Sequence, residues 1–127
     1  MTIAFWTILA AIALPWLMAA LKKSPLAVSG KYSNSAPRAM QSKLEGLSQR
    51  AHWAEQNSFE ILPAFVAAVL VAHLAGAEQM LIDQLAIGFI VSRVLYSICY
   101  LTDWATLRSL VWTAGLLFIV GLFVISA

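Results

Sequence analysis

Three polar side chains stand at helical spacing where a long apolar segment begins. They are Arg50, Asn57 and Glu60, and the apolar segment continues to residue 77. Because each helical residue advances by about 100°, the three share a stripe roughly 80° wide with Trp53 and Ala64. A cation, an amide and an anion in a membrane helix are costly unless they face a bundle interior, a partner or a wet cavity. The pattern therefore indicates a binding site.

A second polar set lies further along the chain. Arg93, Tyr96 and Tyr100 are three and four residues apart, so they share one helix face over about 10 Å. Eight residues after Tyr100 come Arg108 and Ser109, at the start of another apolar run. We expect this set to belong to the same site as the first.

The charges of these residues predict the chemistry of the ligand. Guanidiniums bind carboxylates bidentately, and the lone Glu60 suits an ammonium. The three arginines and Glu60 therefore predict an anion that carries at least one cationic group. The alternative is that Glu60 pairs with Arg50 or Arg93 in a buried bridge that only fixes helix register.

Composition indicates an integral membrane protein. The chain has 127 residues, of which 61% are hydrophobic and 11% charged, against roughly 25% charged in soluble domains. Its single cysteine, Cys99, has no partner for an internal disulfide, and we expect it to be a small core residue. Two histidines without nearby cysteines do not predict a metal site. No stretch resembles a phosphate-binding loop or a nucleic-acid surface.

Hydropathy predicts an all-α fold, an integral membrane four-helix bundle formed by a single domain over residues 1–127. A spanning helix needs about 20 apolar residues. The predicted helices cover residues 3–21, 50–75, 79–101 and 107–125, and a basic polar loop covers residues 22–49. Residues 38–49 also show helical spacing that would extend the second helix. By the positive-inside rule, the basic loop and Arg108 are cytoplasmic, and both termini lie away from the cytoplasm.

The pattern Arg-x6-Asn-x2-Glu-x2-Pro, at residues 50–63, resembles the signature of the membrane-associated proteins in eicosanoid and glutathione metabolism, the MAPEG family. That family includes microsomal glutathione transferases, prostaglandin and leukotriene synthases, a non-catalytic member and many small bacterial proteins. The resemblance extends to the order and lengths of the four helices and to Arg93, Tyr100, Arg108 and Ser109.

The resemblance implies a homotrimer that binds glutathione between neighbouring subunits near the cytoplasmic face, in a bacterial inner membrane. It implies a glutathione transferase or peroxidase whose second substrate is a lipophilic small molecule or lipid. The residues matched to glutathione binding are Arg50, Asn57, Glu60, Arg93, Tyr96 and Tyr100, and those matched to the thiol are Arg108 and Ser109. Lys22 or Lys23 matches a basic residue that relatives place at the end of the first helix.

Two departures from the family pattern favour an alternative function. Many relatives have a second arginine where this chain has Trp53, and often a basic residue where it has Gln56. The alternative is a non-catalytic member that binds a lipid, or glutathione without turnover. A small transporter or channel subunit is a third hypothesis, disfavoured because the charges gather at one membrane face.

The catalytic hypothesis can be stated physically. A free thiol has a pKa of about 8.5, and the thiolate is the nucleophile. Arg108 adds a charge to the positive end of the helix dipole, and Ser109 is expected to donate a hydrogen bond to the sulfur. Lowering the thiol pKa by one to two units needs about 1.4 to 2.7 kcal/mol, which one partly desolvated ion pair supplies.

Four other residues are predicted to be structural. His52 lies about 200° from Arg50 on the helix, so we expect it to face outward or toward the loop. His73 is expected to place a polar tip at the far end of the second helix. Gly115 and Gly121 are predicted to allow close helix packing.

Overall fold

The computed structural model describes residues 1–24 and 35–127. Its helices are α1 (Ile3–Lys23), α2 (Pro37–Gln41), α3 (Gly46–Leu74), α4 (Gln79–Leu101) and α5 (Ala105–Val124), and these described ranges contain no strand. Four helices, of 21, 29, 23 and 20 residues, are long and apolar enough to cross a membrane. The predicted all-α membrane four-helix bundle is therefore confirmed.

Part of the predicted loop is helical, in keeping with the helical spacing of residues 38–49, although the helix there is interrupted between Gln41 and Gly46. The short helix α2 begins at Pro37, where proline is tolerated because its missing N–H would be unpaired anyway. Helix α3 begins at Gly46, one turn before the predicted start at Arg50. Ser48 in this extra turn is buried and donates a 2.5 Å hydrogen bond to the Lys22 carbonyl oxygen. The extra turn thus supplies a hydrogen-bond donor to a backbone carbonyl at the end of α1.

Two residues with positive φ end the helices that precede the short turns. Gly76 has φ 75° after α3, and Asp103 has φ 60° after α4. A left-handed residue ends a helix because the following N–H groups fold back onto its last carbonyls. Ala77 N accordingly donates to Ala72 O at 3.1 Å. These turns make α4 an antiparallel neighbour of both α3 and α5.

The core is built from small and aromatic side chains. Helix α1 packs chiefly on α3, and α5 chiefly on α4. The rings of Phe65 and Phe89 stack with centroids 3.9 Å apart, which joins α3 to α4. Alanines on α1, α3 and α4 are fully or nearly fully buried around them: Ala4, Ala11, Ala68, Ala72 and Ala86.

Glycine allows α4 and α5 to approach closely. A Cβ on Gly115 would lie 2.9 Å from Ser92 Oγ, so the helices could not pack as they do with alanine there. A Cβ on Gly121 would lie 3.4 Å from Leu85, close to ordinary contact. The predicted packing role is confirmed for Gly115 and is weaker for Gly121.

Polar side chains fix the end of the bundle that carries the N-terminus. Asp83 Oδ1 accepts hydrogen bonds of 2.8 Å from Ala4 N and from Gln79 Nε2, so α4 caps the first turn of α1. His73 is exposed near the end of α3, and its Nδ1 lies 3.2 Å from Gln79 Oε1. The prediction for His73 is confirmed.

A buried ionic cluster joins α1 to α3 at the other end. It comprises Lys22, His52 and Glu55. Lys22 is 3% exposed, and its Nζ forms an ion pair with Glu55 Oε2 and lies 3.2 Å from His52 Nδ1. His52 is 8% exposed, so it does not face outward. Of the two predicted orientations it has the other, toward Lys22, the first residue of the predicted loop. It is buried because Lys22 from another helix and Glu55 supply its polar partners.

Candidate functional site

The centre of the site is Arg93, which α4 directs into the interior against α3. Its side chain is 3% exposed. Nη2 donates to Asn57 Oδ1 at 2.8 Å and to Ser58 Oγ at 3.5 Å, while the buried Nε–H has no acceptor within the described ranges. A buried charge with an unsatisfied donor is costly. Arg93 is therefore held by α3 and has one buried donor without a hydrogen-bond partner within the described ranges.

Aromatic rings connect Arg93 to the start of α5. The Arg93 guanidinium carbon lies 4.2 Å from the Tyr96 ring centroid, and that of Arg108 lies 4.3 Å from the Tyr100 centroid. The two tyrosine rings meet edge to face at 5.6 Å. Each cation thus lies over the electron-rich face of a ring. The spacing of three and four residues on α4 places both rings on one side of the helix.

Arg50 reaches the same end of the bundle from α3. Its Nε donates to the Leu101 carbonyl oxygen at 3.1 Å, beside Tyr100. A cation is stabilised there because the last carbonyls of a helix carry partial negative charge. The contact leaves the terminal guanidinium nitrogens of Arg50 available to an anion.

Glu60 is exposed on α3, and its Oε2 accepts a 3.4 Å hydrogen bond from Asn57 Nδ2. The ion pairs found among residues 1–24 and 35–127 involve Glu55, and none joins Glu60 to Arg50 or Arg93. The alternative of a register-fixing bridge is therefore absent from the described structure. The Glu60 carboxylate remains available to a cationic group.

Arg108 and Ser109 occupy the first turns of α5, which begins at Ala105. The Arg108 guanidinium lies over the Tyr100 ring, beside the other site residues. Ser109 is exposed, and its hydroxyl donates to Ala105 O at 3.2 Å. Arg108 is thus brought to the other site residues, whereas within the described ranges Ser109 makes only hydrogen bonds of its own helix.

Two contacts were not predicted from the sequence. Ser58 touches Arg93 because it lies one residue, about 100°, beyond Asn57 and so faces α4. Trp53, placed in the polar stripe of α3 and noted as a departure from the family pattern, has its ring centroid 6.2 Å from that of Tyr100. The signal for Trp53 was its place in the polar stripe of α3.

Lys22 belongs to the other side of α3. Ser48, His52 and Glu55 fall within about 60° on a helix, opposite the stripe of Arg50 and Asn57. Because Glu55 neutralises the Lys22 amine on that side, Lys22 is not a cation of the Arg93 site. Lys23 is exposed at the end of α1.

The charges present fit glutathione, which carries two carboxylates, one ammonium and a thiol. Arg93 has an unsatisfied Nε–H, Arg50 and Arg108 add two cations, and Glu60 offers an exposed carboxylate that also accepts from Asn57. The described residues contain no group of three side chains that could hold a metal ion.

The fold is that of a polytopic membrane protein, and cationic and aromatic side chains gather near one end of its bundle. The model of the MAPEG family matches residues 3–127. The chain therefore belongs to the MAPEG family, as the resemblance of its motif indicated. No curated protein and no solved structure matches the chain.

Proposed function

We propose that this protein is a membrane glutathione transferase or peroxidase, which activates the glutathione thiol for attack on a lipophilic electrophile or peroxide. The observation that carries the proposal is Arg93, buried against Asn57 and Ser58 with its Nε–H unsatisfied. A carboxylate that accepts from Nε removes the cost of that buried donor. Membership of a family that includes glutathione transferases supports the choice of ligand.

Each charged group of the tripeptide has a partner in this arrangement. Arg93 and Arg50 bind its carboxylates, and Glu60 binds its ammonium. Asn57 positions both Arg93 and Glu60, because it accepts a hydrogen bond from Arg93 and donates one to Glu60. Tyr96 and Tyr100 hold the guanidiniums of Arg93 and Arg108 in place.

Arg108 is the proposed thiolate-stabilising residue. Its charge and the N-terminal end of α5 favour the anion over the thiol. Ser109 contributes a hydrogen bond to the sulfur when its hydroxyl leaves Ala105 O. The thiol proton goes to water, and the thiolate forms a C–S bond as the leaving group departs or the ring opens. With a peroxide, the thiolate takes one oxygen and releases an alcohol.

The proposal includes a homotrimer in which neighbouring subunits cover the exposed side of the site, where Trp53 and Glu60 lie. It also includes the predicted orientation in a bacterial inner membrane, with the site near the cytoplasmic face and both termini on the other side. The excess of Lys and Arg in the segment between α1 and α3 supports this orientation.

A second function, binding of a lipid or of glutathione without turnover, is favoured by one observation. Trp53 is 42% exposed in the polar stripe, so an apolar surface lies where a further cation would strengthen an anion site. In this case Arg93 and Arg108 would bind a ligand that never reacts.

Calorimetry of the detergent-purified protein with glutathione tests whether the protein binds glutathione at all. The test variant is Arg108→Ala/Glu60→Gln. The matched control, Arg38→Ala/Glu45→Gln, removes one cation and one anion that are exposed outside the site. We expect binding in the wild type and control and at least tenfold weaker binding in the test variant. Absence of wild-type binding at millimolar glutathione would reject the proposal, and binding without turnover would favour the second function.

A further inference from the structure

An exposed aromatic surface adjoins the proposed thiolate position. Trp53 on α3 and Tyr100 on α4 have ring centroids 6.2 Å apart and planes inclined by 50°. Tyr100 also contacts Tyr96 at 5.6 Å and carries the Arg108 guanidinium at 4.3 Å. Three rings and a cation therefore converge, and Trp53 is the member whose large apolar face is exposed.

Neither packing within the single chain nor the glutathione contacts account for this indole. It is exposed, so it contributes little to the core, and it offers no charge to a carboxylate. An aromatic face attracts cations or electron-poor rings. Arg108 lies over the adjacent ring and Arg50 precedes Trp53 by one helical turn. These positive charges disfavour a second cation and favour an electron-poor planar ring.

We propose that Trp53 determines specificity by stacking on the ring of a lipophilic quinone, which is the electrophile of the reaction. This inference rests on the proposed function and specifies its second substrate. A quinone is planar, electron-poor and soluble in the bilayer. Its carbonyl oxygens, which gain negative charge during the reaction, suit a neighbouring guanidinium.

The reaction balances without an added oxidant or reductant. The thiolate forms a C–S bond with a ring carbon conjugated to a carbonyl, and the displaced electron pair moves to the carbonyl oxygen beside Arg108. That oxygen takes a proton equivalent to the one lost by the thiol. Transfer of the ring-carbon proton to the second carbonyl oxygen then gives the hydroquinone thioether. The two carbonyl carbons are reduced and the attacked ring carbon is oxidised within the adduct, while the sulfur keeps its oxidation level.

Binding is tested first without a thiol, so that it does not depend on catalysis. The probe is 2-methyl-1,4-naphthoquinone, and the readout is the thermal unfolding midpoint of the full chain in detergent, which a ligand of the folded state raises. We compare the wild type with Trp53→Leu, Trp53→Phe and the control Trp6→Leu. Trp6 is also exposed, on α1 at the opposite end of the bundle. We expect a saturable rise that Trp53→Leu loses, Trp53→Phe partly retains and Trp6→Leu leaves intact.

Turnover is tested next with glutathione. We expect Trp53→Leu to lower kcat/KM for the quinone about tenfold relative to kcat/KM for tert-butyl hydroperoxide, which has no ring. Trp53→Phe should fall between, and Trp6→Leu should match the wild type. If Trp53→Leu changes neither the midpoint rise nor this ratio, the inference is wrong. If no electrophile reacts but the Trp53-dependent rise persists, the proposed enzyme function fails and the quinone site stands.

Discussion

Arg93 Nη2 donates to Asn57 Oδ1 at 2.8 Å, and this bond joins the polar face of α4 to the polar stripe of α3. Asn57 in turn donates to Glu60 at 3.4 Å. One amide therefore positions a buried cation and an exposed anion. A ligand that carries a carboxylate and an ammonium meets both charges in a fixed arrangement, which reduces the ordering required on binding.

Replacing Asn57 by Leu should destabilise the protein and weaken glutathione binding together. The change removes the best acceptor of a buried guanidinium, and an unsatisfied buried group costs about 1–3 kcal/mol. Unfolding in detergent and calorimetry measure the two effects. The control is Gln56→Leu, at the exposed neighbouring position, which should change stability by less than about 0.5 kcal/mol. Equal behaviour of the two variants would contradict the role of Asn57.

Replacing Trp53 by Arg should tighten glutathione binding by about tenfold. The new guanidinium lies on the polar stripe beside Tyr100 and adds a partner for a carboxylate. Calorimetry at two salt concentrations measures the effect, which should shrink as salt screens the charge. The control Trp6→Arg adds the same charge at the other end of the bundle and should have no effect. An unchanged affinity in Trp53→Arg would place the ligand elsewhere.

Removing one charge of the ionic cluster at Lys22 should lower the stability of the protein more than removing both charges. Lys22→Met leaves the Glu55 carboxylate without its cation in a largely buried position, and such a change costs about 3 kcal/mol. Lys22→Met/Glu55→Met removes both charges and should recover most of the loss. Denaturant unfolding of the two variants measures the difference. Equal stabilities would show that the cluster is too well solvated to matter.

Replacing two glycines of α5 by alanine should change the stability of the protein in opposite directions. Gly115→Ala places a Cβ 2.9 Å from Ser92 Oγ, whose hydroxyl donates to Phe89 O at 2.6 Å. Moving that hydroxyl or the helix should cost about 1–3 kcal/mol. Gly121→Ala meets Leu85 at 3.4 Å and should gain up to about 1 kcal/mol from helix propensity. Thermal unfolding in detergent distinguishes them, and a stabilising Gly115→Ala would contradict the close packing of α4 on α5.

Periodicity could predict the parts of the site that depend on one helix at a time. The stripe of Arg50, Asn57 and Glu60 and the face of Arg93 and Tyr100 follow from about 100° per residue. The structure then brings these faces together, as the contact of Arg93 with Asn57 shows.

Contacts that need a partner from another helix could not be derived in this way. Helical periodicity located His52 relative to Arg50. It could not show that Lys22 from α1 would neutralise Glu55 beside His52. The extra turn of α3 likewise depends on Ser48 bonding to the end of α1. The Ser109 hydroxyl bonds to a carbonyl of its own helix, which residue type alone does not reveal.

The most direct test of the proposed mechanism is a titration of the glutathione thiol bound to the protein, followed by the ultraviolet absorbance of the thiolate. We predict that its pKa lies one to two units below the free value of about 8.5 in the wild type and in Arg38→Ala. In Arg108→Ala the bound thiol should titrate near the free value, and Ser109→Ala should give a smaller change than Arg108→Ala. A bound thiol that titrates like free glutathione, or an Arg108→Ala variant that retains the wild-type pKa, would contradict thiolate activation by Arg108.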